Sequence, residues 1–170
     1  MENGELRLRL RALEPEDAEM MYEAESDPAA WRYSDYLAPM SREMLREYAL
    51  TYDADPLRSG QLRLIIDMEG TAAGMLDLFD ISPRHMRADT GIYLLPAFRG
   101  MGLGVKALEL AKDYCRARLG LHQLTAGVAQ QNTAARRCYE KAGFHTTGTR
   151  PDWLRSENGW EDIDLLHCRL

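Results

Sequence analysis

The fold of this chain is decided by residues 90–119, which read TGIYLLPAFRGMGLGVKALELAKDYCRARL. Residues 91–96, GIYLLP, are a short apolar run that predicts a buried strand. Residues 99–104, RGMGLG, predict a tight glycine-rich loop, and residues 105–119 carry apolar side chains at helical spacing. A helix that begins after glycines leaves backbone N–H groups unpaired at the positive end of its dipole. The loop therefore predicts a site for an anion such as a pyrophosphate.

Upstream of this stretch, the chain predicts one strand followed by two helices. Residues 6–11 alternate leucine with arginine, which is the period of a strand with one buried face. A first helix is predicted from about Pro15 to Glu25, with acidic residues in its first turn. Ser41 is placed to cap a second helix that ends before Asp55. The aromatic residues between the two helices fit either the core or the wall of a substrate pocket.

Strand signals fill much of the remaining sequence. They lie at residues 62–66, 71–79, 88–95, 124–129, 146–154 and 160–170. Turn signals at Glu69-Gly70 and Asn158-Gly159 join two pairs of these segments as hairpins. The order strand, helix, strand across residues 88–129 predicts a parallel pair with a right-handed crossover. The expected fold is α/β of the α+β kind, with a mixed, mostly antiparallel sheet of about six to seven strands flanked by about four helices.

Length and composition indicate one globular domain over residues 1–170. The chain has 170 residues, of which 45% are hydrophobic, and it is too short for two ordinary domains with separate cores. Its start is polar and it contains no long apolar run, so we expect a cytoplasmic protein without a membrane partner. Cys115, Cys138 and Cys168 are widely spaced and no histidine pair has metal-ligand spacing, so neither a disulfide nor a bound metal is expected.

Acidic residues are concentrated in one part of the chain. Between Glu14 and Asp55 stand twelve acidic and three basic residues, a net charge of −9, against −6 for the whole chain. This balance disfavours nucleic acid as a partner, because its phosphate backbone would be repelled. The same charge can attract a cationic substrate, or it can form a solvated helix face.

Two common phosphate-binding motifs do not fit the glycine-rich loop. A Walker A loop needs Lys followed by Ser or Thr, whereas Lys106 is followed by Ala107. A dinucleotide fingerprint needs a third glycine where Val105 stands, and it opens a βαβ unit, whereas hairpins precede this loop. Neither a P-loop nor a Rossmann site is therefore expected.

Two short motifs, taken together, fit another family. Arg99, Gly102 and Gly104 match the pattern [RQ]-x-x-G-x-[GA]. Residues 132–144, NTAARRCYEKAGF, match the pattern N-x-x-A-x-x-x-Y-x-K-x-G-F. In this order, the two motifs resemble the signatures of the Gcn5-related N-acetyltransferase (GNAT) family, and the resemblance covers nearly the whole chain. Residues 158–162, NGWED, resemble a turn of the branch that contains spermidine and ribosomal-protein N-terminal acetyltransferases.

The resemblance implies acetyl-CoA as the cosubstrate and assigns residues to hold it. The backbone of Ile92, Tyr93 and Leu94 would pair with the pantetheine arm, which requires this strand edge to be left open. Loop N–H groups would bind the pyrophosphate, with Arg99 adding charge and glycines allowing close approach. Asn132 would cap its helix and also bind the pantetheine amide. The loop residues concerned are Gly100, Met101, Gly102, Leu103 and Gly104.

Two further residues receive catalytic roles from the resemblance. Tyr139 would act as a general acid that protonates the departing sulfur of coenzyme A. Asp89, at the start of a strand, would accept a proton from the attacking amine, through a water because its side chain is short. Asp77, Asp80 and Glu23 are alternative bases.

The expected function is acetyl transfer from acetyl-CoA to a primary amine, by direct attack in a ternary complex. The acidic segment favours a small cationic amine, such as a polyamine, as the acceptor. A protein N-terminus is the alternative acceptor, and a non-catalytic acyl-CoA-binding module is the second alternative. The expected partner is therefore a small molecule, and a homodimer is the oligomer considered.

Overall fold

The structure is a computed structural model that describes residues 7–170, so Leu6 of the predicted first strand lies outside the described residues. Within these residues the strands are β1 (Leu8–Ala12), β2 (Leu62–Met68), β3 (Thr71–Ser82), β4 (Arg87–Leu94), β5 (Gln123–Ala129), β6 (His145–Ser156) and β7 (Gly159–Arg169). They form one sheet in the order β1-β2-β3-β4-β5-β7-β6. Every neighbouring pair is antiparallel except β4 with β5, so the predicted mixed sheet is confirmed.

Helices flank this sheet on both faces. In chain order they are α1 (Ala18–Glu25), α2 (Pro28–Trp31), α3 (Arg42–Leu50), α4 (Pro56–Ser59), α5 (Leu103–Arg118) and α6 (Thr133–Lys141). The four longer ones correspond to the predicted helices, and a short 3-10 turn at Pro15–Asp17 leads into α1. None of the helices in residues 7–170 has the length and apolar character needed to cross a membrane.

The two single-turn helices, α2 and α4, were not predicted. Both begin at an Asp-Pro pair whose aspartate caps the turn. The Ala29 N–H donates to Asp27 Oδ1 (2.9 Å), and the Leu57 N–H donates to Asp55 Oδ1 (3.0 Å). Proline fits the first helical position because its missing N–H would have no partner there. The helices before these pairs end as predicted, α1 at Glu25 and α3 before Asp55, but the single turns that the pairs begin were missed. Helix α2 belongs to a segment that borders the candidate site.

The parallel pair β4–β5 is short. Arg87–Asp89 of β4 pairs with Gln123–Thr125 of β5, and the two strands then diverge. β4 stays paired with β3 as far as Leu94, and β5 stays paired with β7 as far as Ala129. The divergence therefore splits the sheet into two halves with a wedge between them.

Each face of the sheet carries its own core. On one face, Ala107 of α5 and Tyr139 of α6 pack with Leu76 of β3. On the other face, Met21 of α1 packs with Met75 of β3 and with residues of α3. Neighbouring residues of a strand point to opposite faces, which is why adjacent residues of β3 serve different cores. The wedge between β4 and β5 thus lies between two separate layers of helices.

Candidate active site

A groove opens in the sheet where β4 and β5 diverge. It encloses about 680 Å³, and its walls include Thr90–Ile92, Ala126–Ala129, Asn132 and Tyr139. Beyond the short parallel pairing, no strand among the described residues pairs with β4 on the side that faces β5. An unpaired strand edge can bind an extended chain through backbone hydrogen bonds. The edge that a pantetheine arm needs is therefore left unpaired by β5 at residues 92–94, where the Leu94 carbonyl accepts a hydrogen bond from Nε of Arg99.

The glycine-rich loop leads into the first turn of α5. Gly100 has φ = 77° and Gly102, which caps α5, has φ = 76°, a region that favours glycine. The first hydrogen bond of this helix runs from the Lys106 N–H to the Gly102 carbonyl (3.3 Å). The N–H groups of residues 103–105 consequently have no partner within the helix. They are donors at the positive end of the helix dipole, as an anion site requires.

The structure explains why the loop motif has glycine at both Gly102 and Gly104, and the reason differs between the two positions. Gly102 needs its left-handed backbone conformation, although a Cβ there would meet no atom within 4 Å. Gly104 lies in a crowded place, since a Cβ would stand 2.7 Å from Sγ of Cys138. Gly104 therefore also allows α5 and α6 to approach each other closely.

Arg99 connects the loop to helix α2. Its Nε donates to the Leu94 carbonyl (2.9 Å), and its Nη2 donates to Asp27 Oδ2 (3.1 Å). The hydroxyl of Tyr93 donates to the same carboxylate oxygen (2.9 Å). Two guanidinium nitrogens are therefore engaged within the protein, which leaves Nη1 for the predicted phosphate contact. Sequence reasoning did not foresee this link between the loop and α2.

Two of the predicted site residues on or next to α6 line the groove. Asn132 caps the helix, because its Oδ1 accepts the Ala135 N–H (3.2 Å), while its amide nitrogen donates to none of residues 7–170. Tyr139 is 3% exposed, and its hydroxyl donates to the Thr90 carbonyl (3.1 Å). Its ring packs edge-on against Phe144. Burial raises the pKa of Tyr139 above its ordinary value of about 10, so the phenol stays protonated at neutral pH.

Asp89 lies on the sheet face opposite to the core that contains Tyr139. In the β3–β4 register it stands opposite Phe79, so these two side chains share a face. Its carboxylate accepts a hydrogen bond from Oγ1 of Thr125, the partner residue on β5. Asp89 belongs to the last β4–β5 pair and lines the groove at the closed end of the wedge.

A second cavity, here called the α2 cavity, meets the groove from that same face. It encloses about 500 Å³ between the segment Ala30–Tyr36 and strands β3 and β4. It shares five lining residues with the groove, Tyr33, Asp35, Phe79, Gly91 and Ile92, and the last three form what we call the junction. Because glycine has no side chain, Gly91 leaves room between the strand and the Phe79 ring, whose nearest atom would lie 3.6 Å from an added Cβ.

Three charged residues of the α2 cavity, Glu25, Asp35 and Arg63, were not among the predicted site residues. Arg63 donates from Nε (2.7 Å) and from Nη2 (2.8 Å) to the carboxylate of Asp77. Glu25 ends α1 and lines the same cavity. An arginine inside the apolar run of β2 is a visible signal, whereas Glu25 is one acid among many. Of the alternative bases, Asp77 lines this cavity, while Asp80 and Glu23 are exposed and line neither the cavity nor the groove.

Comparison with known proteins agrees with this arrangement. A family model described as an acetyltransferase (GNAT) domain matches residues 7–145. The chain is 30% identical to a spermidine N(1)-acetyltransferase of Escherichia coli strain K12 over 141 residues, which cover 83% of this chain and 74% of that protein. It is 26% identical to a spermidine N(1)-acetyltransferase of Vibrio cholerae over 162 residues, or 95% of this chain and 92% of that protein.

A solved structure of a spermidine N-acetyltransferase has a fold similar to that of this chain. A crystal structure of spermidine N-acetyltransferase from Vibrio cholerae in complex with CoA and spermine superposes with a TM-score of 0.83 over 95% of both chains, at 23% identity. That likeness shows a common fold. Together with the family match over most of the chain, it confirms the resemblance inferred from the two sequence motifs. The chain belongs to the GNAT family of acetyltransferases.

Proposed function

We propose that this protein transfers the acetyl group of acetyl-CoA to a primary amine of a small polyamine. The observation that carries the proposal is the junction at Gly91, where the groove meets the α2 cavity. On the groove side lie an open strand edge, a helix N-terminus and a buried phenol. On the other side lie Glu25 and Asp77, whose carboxylates suit a cationic acceptor. The names of the two relatives above support a polyamine as that acceptor.

The chemistry of the groove suits acetyl-CoA. The open backbone of residues 92–94 suits the amides of the pantetheine arm, and the Asn132 amide nitrogen adds a donor. The backbone from Gly100 to Gly104 suits the pyrophosphate, with Arg99 beside it. Bound acetyl-CoA supplies an acyl group activated as a thioester. The residues named here hold that thioester against the junction and do not react with it.

Tyr139 acts in this proposal as the general acid. Its hydroxyl lies beside the backbone of Thr90, the first residue of β4 beyond the pairing with β5. As the C–S bond breaks and the N–C bond forms, the phenol proton passes from Oη to the sulfur and yields the free thiol. The phenol regains a proton from solvent. A thiol has a pKa of about 8.5, so the acid supplies only part of the rate.

Asp89 acts as the base, through a bound water. An alkylammonium has a pKa of about 10.4 and must lose a proton before its nitrogen can attack. Asp89 lies on the acceptor face of the sheet and lines the groove, so the proton can pass towards it and then to solvent. Both oxygens of Asp77, the alternative base, already accept hydrogen bonds from Arg63, which makes Asp77 the poorer proton acceptor.

An acceptor panel tests the choice of substrate. Thiol release from acetyl-CoA is measured with spermidine, spermine, an aminoglycoside and a peptide with a free N-terminus. We expect the highest kcat/KM with a polyamine. A preference for the peptide would favour the N-terminal acetyltransferase alternative, and acetyl-CoA binding without thiol release for any amine would favour the non-catalytic module.

A further inference from the structure

A third cavity, here called the α3 cavity, adjoins the α2 cavity. It encloses about 470 Å³ and is lined on one side by Met44, Leu45 and Tyr48 of α3. The wall that it shares with the α2 cavity consists of Glu25, Tyr36, Arg63, Asp77 and Phe79. The groove, the α2 cavity and the α3 cavity are therefore contiguous. An elongated acceptor whose amine reaches the junction extends along this path.

The walls of the α3 cavity suit an alkyl chain that carries positive charge. The aromatic rings in these walls belong to Tyr36, Tyr48, Tyr52 and Phe79, and methionines line the cavity with them. Apolar walls favour methylene groups, and aromatic faces attract cations. The Arg63 guanidinium already lies 5.5 Å from the centre of the Tyr48 ring. A second cation can use the remaining aromatic surface.

The charges on the shared wall do not cancel. Arg63 and Asp77 form a two-point ion pair, so together they contribute no net charge. Glu25 remains as a single uncompensated carboxylate. No residue within 7–170 donates a hydrogen bond to that carboxylate. The indole N–H of the nearby Trp31 donates to the backbone carbonyl of Glu25 and not to its side chain. A half-buried carboxylate without a donor is unfavourable until a cation reaches it.

The pKa of Glu25 agrees with this geometry. Burial raises the pKa of the Glu25 carboxyl, Asp77 raises it further, and Arg63 opposes both. The remaining titratable groups that line the α3 cavity are Tyr36, Tyr48 and Tyr52, and none of them is a carboxylate. An ammonium group bound there would have Glu25 as its nearest unpaired counter-ion.

We propose that Glu25 binds a second ammonium group of the acceptor in the α3 cavity and thereby selects diamines and longer polyamines over monoamines. This inference rests on the proposed function, because the first amine must react at the junction. Glu25 holds the distant end of the acceptor and does not touch the reacting atoms. It is therefore a specificity-determining residue.

Two acceptors of matched length provide the test. Putrescine and butylamine differ mainly by one terminal ammonium, and kcat/KM is measured for both at saturating acetyl-CoA near neutral pH. In Glu25→Gln, we expect the ratio of putrescine to butylamine to fall by about tenfold or more, because a desolvated charge pair is lost. The control is Glu47→Gln, which removes the same charge from an exposed position on α3 that lines neither cavity. There the ratio should stay within about twofold.

The outcomes separate this inference from the proposed function. If amines are acetylated but Glu25→Gln keeps the parent ratio, or if both variants lose it equally, the role of Glu25 is overturned while the function stands. If no amine is acetylated, calorimetry measures whether spermidine binds to the CoA-loaded protein. Binding that Glu25→Gln weakens supports the Glu25 site and refutes transfer, and absence of binding refutes both.

Thermal unfolding provides a second readout for Glu25→Gln. We expect the Tm of the unliganded variant to equal or exceed that of the parent, because the substitution removes an unpaired, half-buried carboxylate. A Tm well below that of the parent would show that Glu25 stabilises the fold, which contradicts the proposed role.

Discussion

Tyr139 owes its proposed role to its surroundings. The residue stands on α6, yet its hydroxyl donates to the Thr90 carbonyl of β4, so the phenol lies beside the open strand edge. Burial keeps this phenol protonated at neutral pH, which is the state that a general acid needs. Position, hydrogen bonding and protonation state therefore agree on one role for this residue.

Replacing Tyr139 by phenylalanine tests that role. We expect kcat to fall by about tenfold to a hundredfold without being abolished, because the thiol is a fair leaving group without an acid. The lost hydrogen bond should cost about 1 kcal/mol of unfolding free energy. Steady-state kinetics and urea unfolding measure the two quantities. A variant that turns over as fast as the parent would remove Tyr139 from the mechanism.

At the residue scale, sequence predicted what lies close together along the chain. Asn132 and Tyr139 belong to one motif around one helix, so their spacing fixed their relative placement. Glu25 and Arg63 were missed, because they line one cavity only when α1 packs over the sheet. No local pattern in the sequence encodes that packing.

At the scale of elements, two glycines on neighbouring strands have different functions. A Cβ on Gly74 of β3 would lie 2.1 Å from the backbone oxygen of Tyr93, whereas a Cβ on Gly91 of β4 would lie 3.6 Å from Phe79, an ordinary contact. Gly74 therefore allows β3 and β4 to pair closely. Gly91 keeps the junction open.

Two alanine variants separate these functions. Gly74→Ala should lower the unfolding free energy by about 2 kcal/mol or more, because the methyl group clashes with backbone. Gly91→Ala should fold as stably as the parent but lose about tenfold or more in kcat/KM, because its methyl group narrows the junction. Urea unfolding and thiol release are measured on both. A fully active Gly91→Ala would contradict the proposed path of the acceptor.

Sequence patterns predicted the positions of the strands and helices better than they predicted where β4 and β5 diverge. Period-two alternation, short apolar runs and helical spacing located all seven strands and the four longer helices, because each pattern reports which side chains are buried. The open edge of β4 was expected only from the family resemblance, because residues 91–96 are as apolar as a fully paired strand. Pairing depends on a partner that is 36 residues away, and loop closure of that kind carries no local signature.

At the scale of the whole molecule, the sheet separates two chemical environments. The glycine-rich loop and Tyr139 lie with α5 and α6, and the carboxylates of Glu25 and Asp77 lie on the side of α1 and α3. The wedge is the place where the two sides meet. The far wall of the wedge consists of β5 and β7. Asp164 of β7 stabilises this wall, because its carboxylate accepts hydrogen bonds from Gln130 (3.0 Å), Thr149 (3.0 Å) and Arg136.

Asp164 should make stability depend on pH. The hydrogen bond from Gln130, aided by Thr149 and Arg136, lowers the pKa of Asp164 against the opposing effect of burial. A lowered pKa contributes stability above the unfolded value of about 3.9, and the contribution is lost as the pH falls through the folded value. We expect Asp164→Asn to cost about 1 to 3 kcal/mol at neutral pH and clearly less below pH 4, measured by urea unfolding. An equal cost at both pH values would contradict this assignment.

The central claim is that the protein moves an acetyl group from acetyl-CoA to an amine of a polyamine. In the most direct measurement, the purified protein is incubated with acetyl-CoA and spermidine. Free thiol and acetylated amine are then quantified together by mass spectrometry. We expect equal amounts of the two products, and only background thiol release when the amine is omitted. Thiol release without acetylated spermidine, or no thiol release despite bound acetyl-CoA, would contradict the central claim.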